Sequence, residues 1–246
     1  SISGTLGGYC TFSQGGSSGA NTWNVGNDDN FTFDGKVTSG DLFNKVGSGT
    51  MTVTNSWENT GAVKINGGTL VLSSGKTLGT GALTVAAGAT LMGLSSTIKA
   101  SSKTHGFTNS SVTINGSLRV GNDGMSTSGY WYLGAKSLTI GATGTLYVGV
   151  AKCSTSDAVP GCSHIWSEEA NGSITFKDGA TVSVYLASTY DPIASIGTDE
   201  AKADSFMVFN FKKATIGDVK FELPELPEHY VWDVSKFKNG YLYVRY

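Results

Sequence analysis

The sequence predicts an all-β fold: a solenoid of stacked parallel turns, closed by a cap at each end. Three observations point there. The composition suits short strands and tight corners, with 34 Gly in 246 residues and only 15% charged residues, against about 25% in ordinary domains. Short runs alternate apolar and small or polar residues, as in Met51-Thr52-Val53, Val63-Lys64-Ile65 and Leu83-Thr84-Val85, the pattern of a half-buried strand. The runs also recur. A strand this short cannot bury a core alone, but it can when like strands stack above and below it.

In chain order, residues 1–30 are rich in Gly, Ser and Asn and are expected to cap the first exposed edge, which would otherwise be an open template for pairing. Strand-like pairing is expected from Phe31-Thr32-Phe33, followed by the turn Asp34-Gly35. From Gly47 the unit becomes clear as strand, Gly corner, strand: VKINGGTLVL at 63–72, LTVAAGATLM at 83–92, VTINGSLRV at 112–120, LTIGATGTLYV at 138–148 and ITFKDGATVSV at 174–184. Their starts are 20, 29, 26 and 36 residues apart. The extra length falls after the second strand, as insertions at 94–111, 121–137 and 149–173. This register predicts three interior ladders: Val63, Leu83, Val112, Leu138 and Ile174; Ile65, Val85, Ile114, Ile140 and Phe176; Leu70, Leu91, Leu118, Leu146 and Val182. Lys64, Thr84, Thr113, Thr139 and Thr175 then face outward. The polar stretch 187–204 is the place for a short helix, with ASIGTDEAKADSF its best candidate. The aromatic-rich 205–246 reads as last turns plus a C-terminal cap, with Asn239-Gly240 as a hairpin turn. The whole of 1–246 is expected to be one domain, with its turns over 31–204.

Net charge is −2, with only two Arg, Arg119 and Arg245. Clustered cations that would neutralise phosphate are missing, so a nucleic-acid partner is not expected. No run reaches the eighteen or more apolar residues of a spanning helix, so membrane insertion is not expected either. Ser1 does not open a signal peptide, which reads as a mature, trimmed or fragmentary chain. Cys153 and Cys162 flank the polar segment STSDAVPG. A disulfide there, worth about 2–3 kcal/mol by chain entropy, is preferred to three free thiols, because chains of this composition are common among exported proteins. Cys10 is left over. His105, His164 and His229 lack metal-site spacing, and no G-x-S-x-G, H-E-x-x-H or P-loop pattern occurs.

Residues 47–93 resemble the autotransporter-associated β-strand repeat. The match rests on Gly47, Gly49-Thr50, Thr52-Val53, Asn59, Gly61, Ile65, Gly68-Thr69-Leu70, Leu78-Gly79, Gly81, Leu83-Thr84-Val85 and Thr90-Leu91, with degenerate copies to about residue 186. The resemblance implies a right-handed parallel β-helix and leaves function open, because the motif encodes scaffold. The tail, through Leu223-Pro224, Leu226-Pro227, Trp232-Asp233, Ser235, Gly240, Leu242 and Val244, is similar to the endings of secreted Bacteroidota proteins with such repeats. Some of these are carbohydrate-binding modules on xylan-degrading enzymes. That likeness implies a secreted or surface-attached, monomeric, non-catalytic module that binds a plant polysaccharide, xylan first, beside a tethered glycosidase. An adhesive or structural segment is the alternative, and a polysaccharide lyase or hydrolase the third reading.

The candidate ligand residues sit in the insertions. Tyr130-Trp131-Tyr132, with Asn122 and Asp123, lies in 121–137. Aromatic rings pack on the apolar faces of sugars while amides and carboxylates bond the hydroxyls. Trp166 lies in 149–173 and would flank the same groove as Trp131. Trp57, in the loop 54–62, is a further expected exposed ring. Trp23 and Trp232 read as packing residues. Glu168-Glu169 reads as a solvated turn rather than an acid/base pair, because neighbouring carboxylates in a strand face apart and hydrolases need two that face each other. The runs 27–30 (Asn-Asp-Asp-Asn) and Asn122-Asp123-Gly124 have oxygen ligands suited to Ca²⁺, but read as plain turns. No cofactor is expected.

Overall fold

The computed structural model describes residues 21–38, 40–73, 75–93, 108–120, 136–151, 162–167, 169–187 and 190–246, together with the backbone of 11–12 and 130–132. Strand β1 (Thr11–Phe12) comes first. The chain then makes a series of similar turns. The first holds β2 (Thr22–Val25), β3 (Phe31–Phe33) and β4 (Lys36–Val37). The next three hold β5 (Leu42–Lys45) and β6 (Thr50–Val53), β7 (Val63–Ile65) and β8 (Thr69–Leu72), then β9 (Leu83–Val85) and β10 (Thr90–Gly93). The fifth holds β11 (Ser111–Ile114), β12 (Ser117–Val120) and β13 (Tyr130–Tyr132), and the sixth β14 (Ser137–Ile140), β15 (Thr145–Val150) and β16 (His164–Trp166). The seventh holds β17 (Ser173–Phe176), β18 (Thr181–Leu186), the short helix α1 (Pro192–Ile196), β19 (Ala203–Met207) and β20 (Phe209–Asn210). The last holds β21 (Lys213–Ile216) and β22 (Lys220–Glu222), followed by β23 (Val231–Asp233) and β24 (Tyr241–Arg245).

Each turn contributes one strand to each of two eight-stranded sheets. The first sheet runs β3-β6-β8-β10-β12-β15-β18-β22, and the second runs β2-β5-β7-β9-β11-β14-β17-β21. All their pairings are parallel. Visiting two parallel sheets alternately, one turn at a time, is an arrangement compatible with a β-solenoid. The expected ladders are present as register partners: Val63–Leu83–Val112–Leu138–Ile174 and Ile65–Val85–Ile114–Ile140–Phe176 in the second sheet, and Leu70–Leu91–Leu118–Leu146–Val182 in the first. Every one of these side chains is at most 1% exposed. Thr84, Thr113, Thr139 and Thr175 occupy the outward, half-buried column, and Lys64 in the same column is exposed.

Corners between turns are too tight for side chains. A Cβ at Gly61 would stand 2.0 Å from the Asp41 carbonyl oxygen, and one at Gly81 would stand 1.8 Å from that of Gly61. Lys45 takes an interior position beside Ile65 and is fully buried. Its Nζ donates to the carbonyls of Val46 (3.0 Å), Gly47 (3.0 Å), Gly49 (2.7 Å) and Gly67 (3.1 Å). Burial pushes its pKa below the ordinary value, and the four oxygens replace the lost water around the ammonium.

Four expectations need correction. Pairing in the second sheet begins at Thr22, ahead of Phe31, because β2 joins β5 through Trp23↔Phe43. Trp57 is 2% exposed instead of lying in an open loop; it bridges Leu78 and its ring packs 4.5 Å from Phe43 and 5.8 Å from Phe33. The helix is earlier and shorter than expected, at Pro192–Ile196, where Asp191 accepts the Ile193 N–H and Pro stands at the first position, as an N-terminus favours. Most of the expected helical segment beyond it is turn and β19. Finally, Gly240 has the positive φ of 89° that a turn Gly supplies, but it closes a longer connection containing a 3₁₀ turn at Phe237–Asn239.

The last stretch forms a separate antiparallel sheet, β19-β24-β23. Phe206, Leu242 and Val244 are fully buried there. Asp204, 8% exposed, accepts from Tyr190 Oη (3.0 Å) and Ser195 Oγ (2.6 Å), tying α1 to β19. Phe237 packs 5.3 Å from both Phe176 and Phe209 and 5.0 Å from Phe221, joining this segment to the last parallel turns.

Candidate functional site

The insertions at 121–137 and 149–173 each contribute one strand to a third, parallel sheet, β13-β16-β20. The side of the stack thus changes along its length. In the early turns it is β4 and single bridging residues such as Trp57 and Leu78; in the later turns it is continuous strand. The two segments singled out from the sequence are therefore direct neighbours, paired Tyr130↔His164, Trp131↔Ile165 and Tyr132↔Trp166.

Trp131 is level with Ile165, whereas Trp166 is level with Tyr132. The Trp131 and Trp166 positions are thus offset by one residue in the register, and the expected shared groove turns on a Trp131 side chain outside the described residues. Strand β16 is covered on both sides: His164 is 4%, Ile165 1% and Trp166 7% exposed. Trp166 is thus a packed residue rather than an open platform, as is Trp57. The side chains of Tyr130, Trp131 and Tyr132 lie outside the described residues, as do Asn122, Asp123, Cys153, Cys10 and Glu168. The proposed Cys153–Cys162 bridge falls there too; within the described residues the Cys162 thiol, fully buried, donates to the Met207 carbonyl at 3.3 Å.

The backbone around β16 is held by buried polar groups. Ser163 Oγ donates to the Val120 carbonyl (2.7 Å) and accepts the Gly149 N–H (3.0 Å), linking two successive turns. His164 Nδ1 lies 2.6 Å from the Met207 carbonyl oxygen, so that nitrogen carries the proton. Burial pushes the His164 pKa down to about 4, which makes it a neutral structural donor near neutrality. Glu169 is exposed, in a turn where its N–H bonds Ser167 Oγ at 3.2 Å.

The acidic run 27–30 serves the adjacent turn. Asp28 accepts from the Ser48 N–H (3.0 Å) and Oγ (2.8 Å), and Asn30 accepts from the Thr50 N–H (2.7 Å). The Ser48 hydrogen bonds hold the Asp28 carboxyl below its usual pKa. Among the described residues, no three or more His, Cys, Asp or Glu stand together as a metal site, and no helix is long and apolar enough to cross a membrane.

Sequence reasoning overlooked a second set of rings. On the outer face of the first sheet, Met92, Arg119, Tyr147 and Ser183 form one register column. Beside it runs a column of hydroxyls, Thr50–Thr69–Thr90–Ser117–Thr145–Thr181. The Arg119 guanidinium sits 4.3 Å from the Tyr147 ring centre. Tyr185 is paired with Gly149 and leans across it: a Cβ there would lie 2.8 Å from Tyr185 Cζ. The signal was available, since Tyr147 stands between the inward Leu146 and Val148, and Tyr185 follows the inward Val184. Compared with protein-family models, curated proteins and solved structures, the chain finds no match.

Proposed function

We propose that this chain is a non-catalytic carbohydrate-binding module. It is built as one right-handed parallel β-helix domain, with the N-terminal segment and the antiparallel sheet β19-β24-β23 as its caps. It recognises a plant cell-wall polysaccharide, xylan first, and works outside the cell as a monomer, holding a tethered glycoside hydrolase near its insoluble substrate by raising effective concentration. The likeness of 47–93 to the autotransporter-associated repeat supports the scaffold, and the tail supports the secreted, module-like setting.

The observation that carries the reading is the placement of Tyr130–Tyr132. Among the described residues, this strand of three aromatic residues is the terminal strand of the side sheet. Aromatic residues are the side-chain type that suits the CH-rich faces of pyranoses. Affinity electrophoresis in gels containing xylan, mixed-linkage glucan or pectin tests it. Retardation on xylan, lost in Trp131→Ala, is the expected result. Mobility unchanged on every polysaccharide leaves the adhesive or structural alternative, and release of reducing ends or unsaturated products makes the protein an enzyme.

A further inference from the structure

We infer a second glycan-contacting surface: the outer face of the first sheet across β12, β15, β18 and β22, which takes a linear, uncharged β-linked polysaccharide chain lying along the stack axis. The inference rests on the carbohydrate reading above and adds to it a location, a direction and a ligand shape.

Geometry supplies the direction. Neighbouring strands are about 4.8 Å apart, and the side chains of each register column repeat at that interval. A β-1,4-linked pyranose chain advances per sugar by nearly the same distance. It can therefore place one sugar on each turn without losing step, whereas a chain laid along the strands meets inward and outward positions at a different period.

Chemistry supplies the ligand class. Six successive turns present Thr or Ser in the first outward column, from Thr50 to Thr181. Each hydroxyl both donates and accepts, the combination that sugar hydroxyls require. In the second column Tyr147 has Arg119 against one side, while its other neighbour along the column is the small Ser183. The column therefore steps down beside Tyr147, and the diagonal Tyr185 ring borders that step where it leans across Gly149. Tyr147, Ser183 and Tyr185 are all half-buried, so each keeps part of its surface in solvent. From β12 to β18 the shelf offers two phenol rings and uncharged hydroxyls, and at its β22 end the two columns finish in the exposed pair Lys220 and Glu222; this complements a polyhydroxyl chain and lacks the clustered cations that a polyphosphate needs.

Titration calorimetry with xylo- and cello-oligosaccharides of increasing length tests this. Affinity should rise with each added sugar and level off once the chain spans the four strands from β12 to β22. Tyr147→Ala and Tyr185→Ala should each weaken binding about tenfold. Ser183→Lys, an outward substitution that fills the step, should weaken it similarly with an unchanged circular dichroism spectrum. Native-like variants that bind as tightly as the parent, or an affinity independent of oligomer length, overturn the inference. If Trp131→Ala abolishes binding while the two tyrosine variants retain it, the carbohydrate reading stands and this surface fails. If the unaltered protein binds none of these sugars, both fail. Concentration-dependent dimerisation lost in Ser183→Lys, without sugar binding, would give the face to a second copy of the chain and also overturn the inference.

Discussion

The bare turns, 42–93, and the inserted turns, 111–210, solve the same packing problem with different amounts of chain. In the bare turns one repeat takes 20 residues, as in Val63↔Leu83, and the third side is closed by single residues. Trp57 there fills the interior against Phe33 and Phe43, and a buried lysine satisfies four corner carbonyls. In the inserted turns the repeat grows to 36 and then 40 residues, through Leu138↔Ile174 and Ile174↔Ala214. The added chain becomes the strands β13, β16 and β20, and β15 and β18 lengthen to six residues each. Interior filling passes to Phe176, Phe209 and Phe237. Insertions in this stack are therefore structural before they are functional: they convert a one-residue edge into a sheet and carry the candidate aromatic residues onto it.

The comparison is broken most severely at the tight corners. Gly81→Ala places a methyl group on the Gly61 carbonyl oxygen, 1.8 Å away, and should cost more than about 4 kcal/mol. Loss of cooperative unfolding in urea checks it. A Gly with no neighbour at its Cβ provides the control, because Gly88 has nothing within 4 Å, although its φ of 79° still disfavours a side chain.

A second substitution sharpens the contrast between regions. Trp57→Ala removes the ring that fills the bare turns and should cost about 3–5 kcal/mol. Because each turn contacts only its neighbours, hydrogen exchange should speed up in β5–β9 and stay slow in β14–β18. Equal acceleration at both ends would show a single cooperative unit.

The smallest effect is confined to the inserted turns. His164 has its pKa lowered from 6.5 to about 4 by burial, so between those values the unfolded chain binds more protons than the folded one. Stability is then fully present above about pH 6.5 and falls as pH drops toward 4, by on the order of 3 kcal/mol at most. Urea midpoints measured across that window should decline in the parent protein, and decline less in His164→Asn. Parallel curves would remove His164 as the source.

Much of the fold was legible because the physics is local and periodic. Alternation in Val63-Lys64-Ile65 or Leu138-Thr139-Ile140 specifies an inward and an outward face, and a shift of one residue would turn every apolar side chain to solvent. The spacing of such runs therefore yielded the register of the ladders, whatever the insertion length. The site was less legible. Trp57 reads as exposed because Asn, Ser and Glu surround it, but its burial comes from Phe33 in the preceding turn and Phe43 at the start of its own. Trp166 reads as a platform because its neighbours His164 and Ser167 are polar, yet both are buried and hydrogen-bonded. Tyr147 and Tyr185 sit in plain alternation on β15 and β18, where a half-buried ring reads as cross-strand packing because strand pattern alone does not distinguish a packed ring from an open one.

By itself the sequence determined the strand class, the interior ladders and the places where extra chain leaves the stack, since these follow from two-residue periodicity and the steric freedom of glycine. Only the tertiary structure decided what the extra chain does. Whether an insertion becomes a free loop or a third sheet depends on hydrogen-bond partners dozens of residues away, such as Ile165 with Val208 and Trp131 with Ile165. Which tryptophans are open depends on what packs over them. Neither is encoded in any local window, because burial is a property of the assembled stack.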